Sequence, residues 1–316
     1  MSLRQSLRDK VANLLLTIGN KKTSIFLDPR YFELWEKNGF HITPNHFSSP
    51  IPEVSALQND LWAQPSELPG VNINEAGQLQ LLSSFSASFK DEYESFPRQK
   101  TDVPYQYYVH NVWFDTVDGE ILYCMVRHFK PARIIEIGSG NSTYLSAQAL
   151  LRNSEEGGRQ GELIACEPYP NEVLKAGFPG LTRLLTTEVE KLPLSDFEKL
   201  QENDILFIDS SHILRIGGDV YYEFLEILPR LKKGVVVHIH DIFSPSEYPR
   251  EWVMDEHTFC TEQYLLQAFL AFNDSFEVLW GGHYMHLNHP DKLEKAFSSY
   301  RREGKSPRSF WIRRIR

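Results

Sequence analysis

Two aspartates each close a short apolar run. Asp209 ends Asp204-Ile-Leu-Phe-Ile-Asp209, and Asp241 follows Gly234-Val-Val-Val-His-Ile-His240. Such runs read as buried strands. Neighbouring strands lie about 4.8 Å apart, so if these two are adjacent their carboxylates can hold one divalent cation. Magnesium takes one or two carboxylates and fills its remaining positions with water and substrate oxygens. A bound cation of this kind lowers the pKa of a coordinated hydroxyl and orients it. Two histidines stand beside these aspartates, His212 just past the first and His240 just before the second. An imidazole titrating near pH 6.5 suits a general base. Each residue also has a structural reading. The aspartates can cap the loops that follow them, His212 can brace a turn, and His240 at a strand mouth serves equally as ligand, base or packing group. Strand alternation puts Val236, His238 and His240 on one face and Val235, Val237 and Ile239 on the other. His238, in mid-strand, reads as a hydrogen-bonded core residue.

The second pattern with chemistry in it is Arg133-Ile-Ile-Glu-Ile-Gly-Ser-Gly-Asn-Ser-Thr143. A buried strand runs into a glycine turn (Gly138, Gly140), and a helix opens at Ser142 and Thr143. Such a turn brings backbone N–H groups and a helix N-terminus close to a polar ligand, at the carboxyl edge of a parallel sheet. A dinucleotide site wants G-x-G-x-x-G and a carboxylate about 20 residues on. Here Thr143 stands at the third glycine position, and the acid ending the next strand, Glu167, lies 27 residues beyond Gly140. A carboxylate there can accept both hydroxyls of a ribose. A turn without phosphate-binding extras suits a nucleoside carrying an amino-acid tail, with a nicotinamide cofactor as the competing ligand.

Glu136-Ile-Gly-Ser-Gly-Asn-Ser-Thr143 resembles the first motif of class I S-adenosylmethionine-dependent methyltransferases, and Glu167 resembles their ribose-binding acid. Ile208-Asp-Ser-Ser-His212 resembles the D-G-x-H motif of a group that includes sugar and macrolide O-methyltransferases. Leu228-Pro-Arg-Leu-Lys-Lys-Gly-Val-Val-Val-His-Ile-His-Asp241 resembles that group's L-x-P-G-G … H-D. The likeness covers roughly residues 107–316. It departs where Ser210 replaces a glycine and where Lys233 precedes a single Gly234. The resemblance implies S-adenosyl-L-methionine as cofactor, held by Glu136, Gly138, Ser139, Gly140, Ser142, Thr143 and Glu167. It makes Asp209 and Asp241 candidate ligands of a divalent ion, Mg2+ first among them, with His212 or His240 nearby. It also implies a catalytic set of Asp209, His212 and His240, with either histidine as base, and a sugar or natural-product-like acceptor bearing a hydroxyl.

These residues need a scaffold. From about Tyr107 strands and helices alternate. A helix over 116–129 precedes the first strand; strands follow at 163–167, 182–189, 204–209 and 234–240, with helices over 218–231 and 261–272 and late strands at 276–280 and 309–313. This predicts an α/β fold with a doubly wound, Rossmann-like, mostly parallel sheet and an antiparallel C-terminal strand. Residues 1–106 read as a helical and irregular accessory region, and 107–316 as the catalytic domain. In the former, Leu3, Leu7, Val11, Leu14, Leu15 and Ile18 recur at helical spacing, residues 28–75 are rich in proline and aromatics, and 76–95 read as helix. The loop after Asp241 offers Tyr248 and Trp252 as walls of an acceptor pocket, or as plain packing.

With 316 residues and 41% hydrophobic content the chain can build a sizeable core. Its 33 basic against 42 acidic residues, net −9, argue against a nucleic-acid partner. The cysteines, Cys124, Cys166 and Cys260, form neither a disulfide framework nor a metal-binding spacing. The run from Val11 to Ile18 is too short to span a bilayer. The reading is therefore a soluble, cytoplasmic enzyme acting on a small molecule or saccharide, with homo-oligomerisation open. Two other classes remain. His212, His240 and Asp241 have the composition of a metal-dependent oxygenase site, whereas H-x-H-x-D-H hydrolase spacing fails because Asp241 directly follows His240. The chain could also be a non-catalytic binding protein.

Overall fold

Strands β1 (Arg133–Ile137), β2 (Glu162–Cys166), β3 (Arg183–Leu185), β4 (Ile205–Ile208), β5 (Val236–Ile239), β6 (Phe276–Gly281) and β7 (Phe310–Arg314) form one sheet in the order β3-β2-β1-β4-β5-β7-β6. The computed structural model describes Lys10 and residues 28–316, so the helix expected on Leu3 to Ile18 lies outside the described residues. The pairs β1–β2, β1–β4, β2–β3 and β4–β5 are parallel, whereas β7 runs antiparallel to both β5 and β6. This is the expected doubly wound sheet with its C-terminal strand reversed. The central strands are apolar on both faces because both faces are covered. Ile134, Phe207 and Val236 pack into one core with residues of the helices Glu75–Tyr93, Asp118–Phe129 and Asn141–Glu155. Ile135, Ile137, Leu206, Ile208, Val237 and Ile239 pack into the other with Phe197, Val220, Phe224 and Leu266.

The chain divides at Asn59/Asp60 into two units. The described part of the first holds a turn at Pro29–Tyr31 and the helix Phe32–Lys37, neither with a buried residue. The second unit starts at Asp60, earlier than the boundary suggested after residue 106. The helix Glu75–Tyr93 belongs with the sheet because its Leu82, Phe85 and Tyr93 are buried in the same core as Ile121, Trp280 and Phe297. No described helix is long and apolar enough to cross a membrane.

Two elements differ from the sequence reading. The strand expected over 182–189 is only Arg183–Leu185. It is an edge strand with β2 as its partner, and the ladder ends where Glu167 donates its N–H to the Leu185 carbonyl at 2.9 Å. The chain then turns through the 3-10 segment Val189–Lys191. The helix expected over 218–231 is a composite of an α turn (Asp219–Tyr221), a π turn (Tyr222–Ile227) and a 3-10 turn (Leu228–Arg230). Pro229 lacks the N–H that would continue an α-helix, and the π turn places Glu223 under the end of β4.

Arg127 locks three helices together on one face. Its guanidinium, 3% exposed, meets Glu92 at 2.9 Å and Glu156 at 2.8 Å, and also bonds Asn153. Glu92 comes from Glu75–Tyr93, Asn153 from Asn141–Glu155, and Arg127 from Asp118–Phe129. Removing one partner of a buried ion pair strands the other charges. Arg127→Ala should lower unfolding free energy by about 3–5 kcal/mol in urea titrations, and Arg127→Met combined with Glu92→Gln, which removes charge from both sides of the pair, by less than half of that.

Candidate active site

The turn after β1 is built around Glu136. Its side chain is fully buried, and its Oε1 accepts the hydroxyls of Ser142 at 2.6 Å and Thr143 at 2.9 Å. The Thr143 hydroxyl in turn accepts the Gly140 N–H at 2.9 Å. These three side chains, expected as cofactor contacts, therefore face inward. They shape the turn and leave the first N–H groups of the helix Asn141–Glu155, which have no intrahelical partner, to meet a ligand. Gly138 has φ 77°, and a Cβ there would lie 1.8 Å from the Asp209 carbonyl oxygen. Only glycine fits. Gly140 is extended at φ −178° with open space around it, which leaves room for close backbone approach.

Glu167 lies at the end of β2. Its Oε2 accepts the Ser139 N–H at 3.1 Å and its Oε1 accepts the Tyr169 N–H at 2.8 Å. The carboxylate is thus held at the glycine turn with lone pairs to spare. A cleft of about 360 Å³ runs from Glu167 and Gly138 to Asp209, bordered by Tyr169, Glu188, Arg215 and Asp219. It sits outside the carboxyl ends of β1, β2 and β4, where open α/β sheets take their ligands.

Strands β4 and β5 are neighbours, with Ile208 opposite Ile239, so Asp209, His240 and Asp241 converge just beyond them. His240 Nδ1 stands 3.4 Å from Asp209 Oδ1 and 3.5 Å from Asp241 Oδ1. His212 Nε2 stands 3.4 Å from Asp209 Oδ1 and 3.4 Å from Asp241 Oδ2. His212 and Asp241 both have left-handed backbones, φ 59° and 55°. Ser210 does not, so a serine is tolerated in place of the glycine; its hydroxyl donates to Glu223 at 3.0 Å. Gly234 does need its hydrogen: φ is 89° and a Cβ would come within 2.9 Å of the Glu202 backbone. Lys233 has an ordinary φ.

Electrostatics follow from this convergence. Burial opposes ionisation of Asp209, but the rings of His240 and His212 outweigh it and hold its carboxyl well below the usual carboxylate range. Burial likewise opposes charge on His240, yet Asp209, Asp241 and Asp118 bring it up to about 9. His212 is also raised, against its burial, by Asp209 and Glu262. His238 behaves oppositely. Burial, then repulsion from His240, keeps it neutral; it bonds Ser309 Oγ at 3.1 Å and stacks on Phe207, the expected core role.

Asp209, His240 and Asp241 offer donor atoms within 4.8 Å of one another. Donors about 2.1 Å from a shared ion stand about 3.4 Å apart at tetrahedral angles, close to the 3.4 and 3.5 Å edges to His240 Nδ1. Two carboxylate oxygens and one imidazole are donors that a divalent cation can take. His240 thus joins the two aspartates expected as ligands, while His212 lies outside that grouping. The oxygenase set of His212, His240 and Asp241 is not the one the geometry assembles.

Three participants escape sequence reasoning. Glu262 Oε2 meets His212 Nδ1 at 2.8 Å. Asp118, nearly buried, lies 3.6 Å from His240 Nε2 and accepts the N–H groups of Arg308 at 3.1 Å and Ser309 at 3.0 Å. Arg308 Nε reaches Asp241 Oδ1 at 3.1 Å. Asp118 and Glu262 stand in the first turn of a helix, where an acid is ordinary, and Arg308 stands in an arginine-rich stretch. Of the aromatic walls, Tyr248 is packed, its hydroxyl accepting the Gln263 N–H at 3.0 Å. Trp252 lies under the Arg308 guanidinium at 5.8 Å.

The sheet order, the glycine turn, the carboxylate at the end of β2 and the acidic strand ends together make a Rossmann-like site. A family model described as a methyltransferase domain matches residues 135–242. An uncharacterized protein of Archaeoglobus fulgidus is 30% identical over 169 residues, covering 51% of this chain and 75% of that one. Among solved structures, the apo form of CmcI-N160 aligns over 72% of this chain and 84% of its own at 15% identity and TM-score 0.35. A Plasmodium falciparum structure described as a protein-L-isoaspartate O-methyltransferase, solved with S-adenosyl-L-homocysteine, aligns over 52% and 83% at 13% identity and TM-score 0.29. The chain belongs to the methyltransferase family, as a class I S-adenosylmethionine-dependent methyltransferase.

Two measurements bear on this site. Glu167→Ala should weaken S-adenosylmethionine binding about 10–100-fold by calorimetry, the worth of a hydrogen bond to a charged group; unchanged affinity would remove the ribose assignment. The second concerns Glu136, whose carboxyl is pushed by burial from an ordinary 4.5 up to about 8. Its contribution to stability is complete below about pH 4.5 and is lost as pH rises through about 8. The melting temperature of Glu136→Gln relative to wild type should therefore climb between those limits and level off above them.

Proposed function

We propose that the methyl group goes to a hydroxyl oxygen of a saccharide or natural-product-like small molecule, with a divalent cation at Asp209, His240 and Asp241. The observation carrying this reading is that Asp209 lines the same cleft as Glu167 and Gly138, so cofactor and acceptor groups share one space. S-adenosyl-L-methionine, when bound, supplies an already activated methyl sulfonium. A cation at the strand ends would lower the acceptor hydroxyl's pKa.

The chain's own residues do the rest. Glu167 and the N–H groups of the turn orient the nucleoside. Asp209 and Asp241 flank the approach of the acceptor oxygen, and His212, its Nε2 turned toward both, takes the hydroxyl proton when its ring is neutral. His240 lies deeper, 2% exposed and pressed against Phe114, which favours ligation over proton exchange. Most of the rate enhancement rests on proximity and orientation. Trp113 is 76% exposed, and its carbonyl accepts from the Arg308 guanidinium at 3.1 Å. An exposed indole on the loop that meets Arg308 can cover the face of a sugar or an aromatic ring.

Methyl transfer from labelled S-adenosylmethionine should be sought across a panel of aryl glycosides and free phenols. The expected result is transfer to oxygen that stops in excess EDTA and returns with Mg2+ or Mn2+. Asp241→Asn should bind Mn2+ at least about tenfold more weakly by calorimetry. Full turnover in EDTA would remove the cation from the mechanism.

A further inference from the structure

His212 is bound to the start of the helix Glu262–Leu270 more firmly than to its own strand end. Its Nδ1 lies 2.8 Å from Glu262 Oε2. Its carbonyl accepts the N–H groups of Thr261 at 2.9 Å and Glu262 at 3.2 Å. Two residues further, the Leu214 N–H reaches the Thr261 hydroxyl at 2.8 Å. The ring is gripped on its Nδ1 side, so Nε2 turns toward Asp209 and Asp241.

The carboxylates on the two sides are not equivalent. Asp209 and Asp241 have other cationic neighbours: His240 Nδ1 lies 3.4 Å from one and 3.5 Å from the other, and Arg308 Nε lies 3.1 Å from Asp241. The Glu262 side chain is 1% exposed and its Oε1 has no partner. Behind it stands Glu223, another buried carboxyl, which repels it. His212 is its one side-chain donor among the described residues. Stripping a buried carboxylate of its sole donor is costly. The proton that stays on the ring is therefore the one on Nδ1, and the nitrogen free to exchange is Nε2.

We propose that Glu262 is a positioning residue that holds His212 in its Nδ1-protonated form and so makes Nε2 the nitrogen that receives the acceptor's proton. This rests on the reading of His212 as the base. The acceptor O–H bond breaks, its proton moves to Nε2, its electron pair stays on the acceptor oxygen, and the charge of the resulting imidazolium is balanced by Glu262. No proton passes to Glu262. The arrangement follows the logic by which a carboxylate fixes the tautomer of a catalytic imidazole.

The test is nitrogen-15 NMR of histidine-labelled full-length protein with S-adenosyl-L-homocysteine and EDTA, taken through a rising pH series until His212 carries a single ring proton. His212 signals are assigned by their loss in His212→Gln. A low-field, slowly exchanging Nδ1–H is expected in the wild type, absent from Glu262→Ala and retained with a smaller low-field shift in Glu262→Gln. Calorimetric affinity for S-adenosyl-L-homocysteine, unchanged within about twofold, checks that the variants fold. A slow His212 ring proton found on Nε2 instead overturns the proposal from the wild-type spectrum alone, even if the variants unfold. So does an Nδ1 signal that survives Glu262→Ala. Undiminished methyl transfer by His212→Gln would remove the base reading while leaving the Nδ1 signal in place.

Discussion

Two carboxyls side by side at adjacent strand ends cannot both stay ionised without positive charge beside them. That constraint organises the molecule. The parallel pairing of β4 with β5 brings Asp209 and Asp241 together, and the fold answers with His240 and Arg308, each within 3.5 Å of at least one of the two, while His212 turns Nε2 toward both. The two groups come from a strand end and the approach to the last strand. A divalent ion would meet the same requirement, and its site would coincide with charges already arranged for it.

The reversed strand is what makes this supply work. β7 inserts between β5 and β6, so the segment entering it passes over the tip of β5. Asp118 fixes that segment by accepting the N–H groups of Arg308 and Ser309, and the same carboxylate faces His240 Nε2. One buried acid thus registers the C-terminal strand against the sheet and orients the imidazole at the strand mouth. Ser309 continues the arrangement by bonding His238. A side chain at the start of a helix, more than 180 residues from its partners, connects the packing layer to the chemistry.

Sequence reading succeeds here where the signal is local. The glycine turn, the acid ending β2 and the aspartates ending β4 and β5 each follow a short apolar run, and both periodicity and resemblance point to them. It falls short where a side chain's partner is remote. Glu136 looks like a ligand contact because it precedes the glycines; only the folded turn shows Ser142 and Thr143 bending back to it. Glu262 lies 50 residues from His212, and nothing in Thr261-Glu-Gln-Tyr264 separates it from a helix-capping acid. The over-long third strand has the same origin, since the strand-forming Thr186, Thr187 and Val189 continue after its neighbour β2 has ended.

The cofactor turn and the acidic centre are one object rather than two. The space a Cβ would take at Gly138 is filled by the Asp209 carbonyl, and the Asp209 N–H is bonded to the Ile137 carbonyl at 2.9 Å. The turn that receives the nucleoside therefore rests directly on the backbone that presents the carboxylate. A shift of one must move the other, because neither contact has a flexible side chain to absorb it. Catalysis by proximity needs reacting atoms held to within a few tenths of an ångström, and a backbone-to-backbone contact between β1 and β4 is stiffer than any salt bridge at the same place. The glycine is required here by the neighbouring strand as much as by the ligand, so its type says as much about how the donor and acceptor groups are locked together as about what they bind.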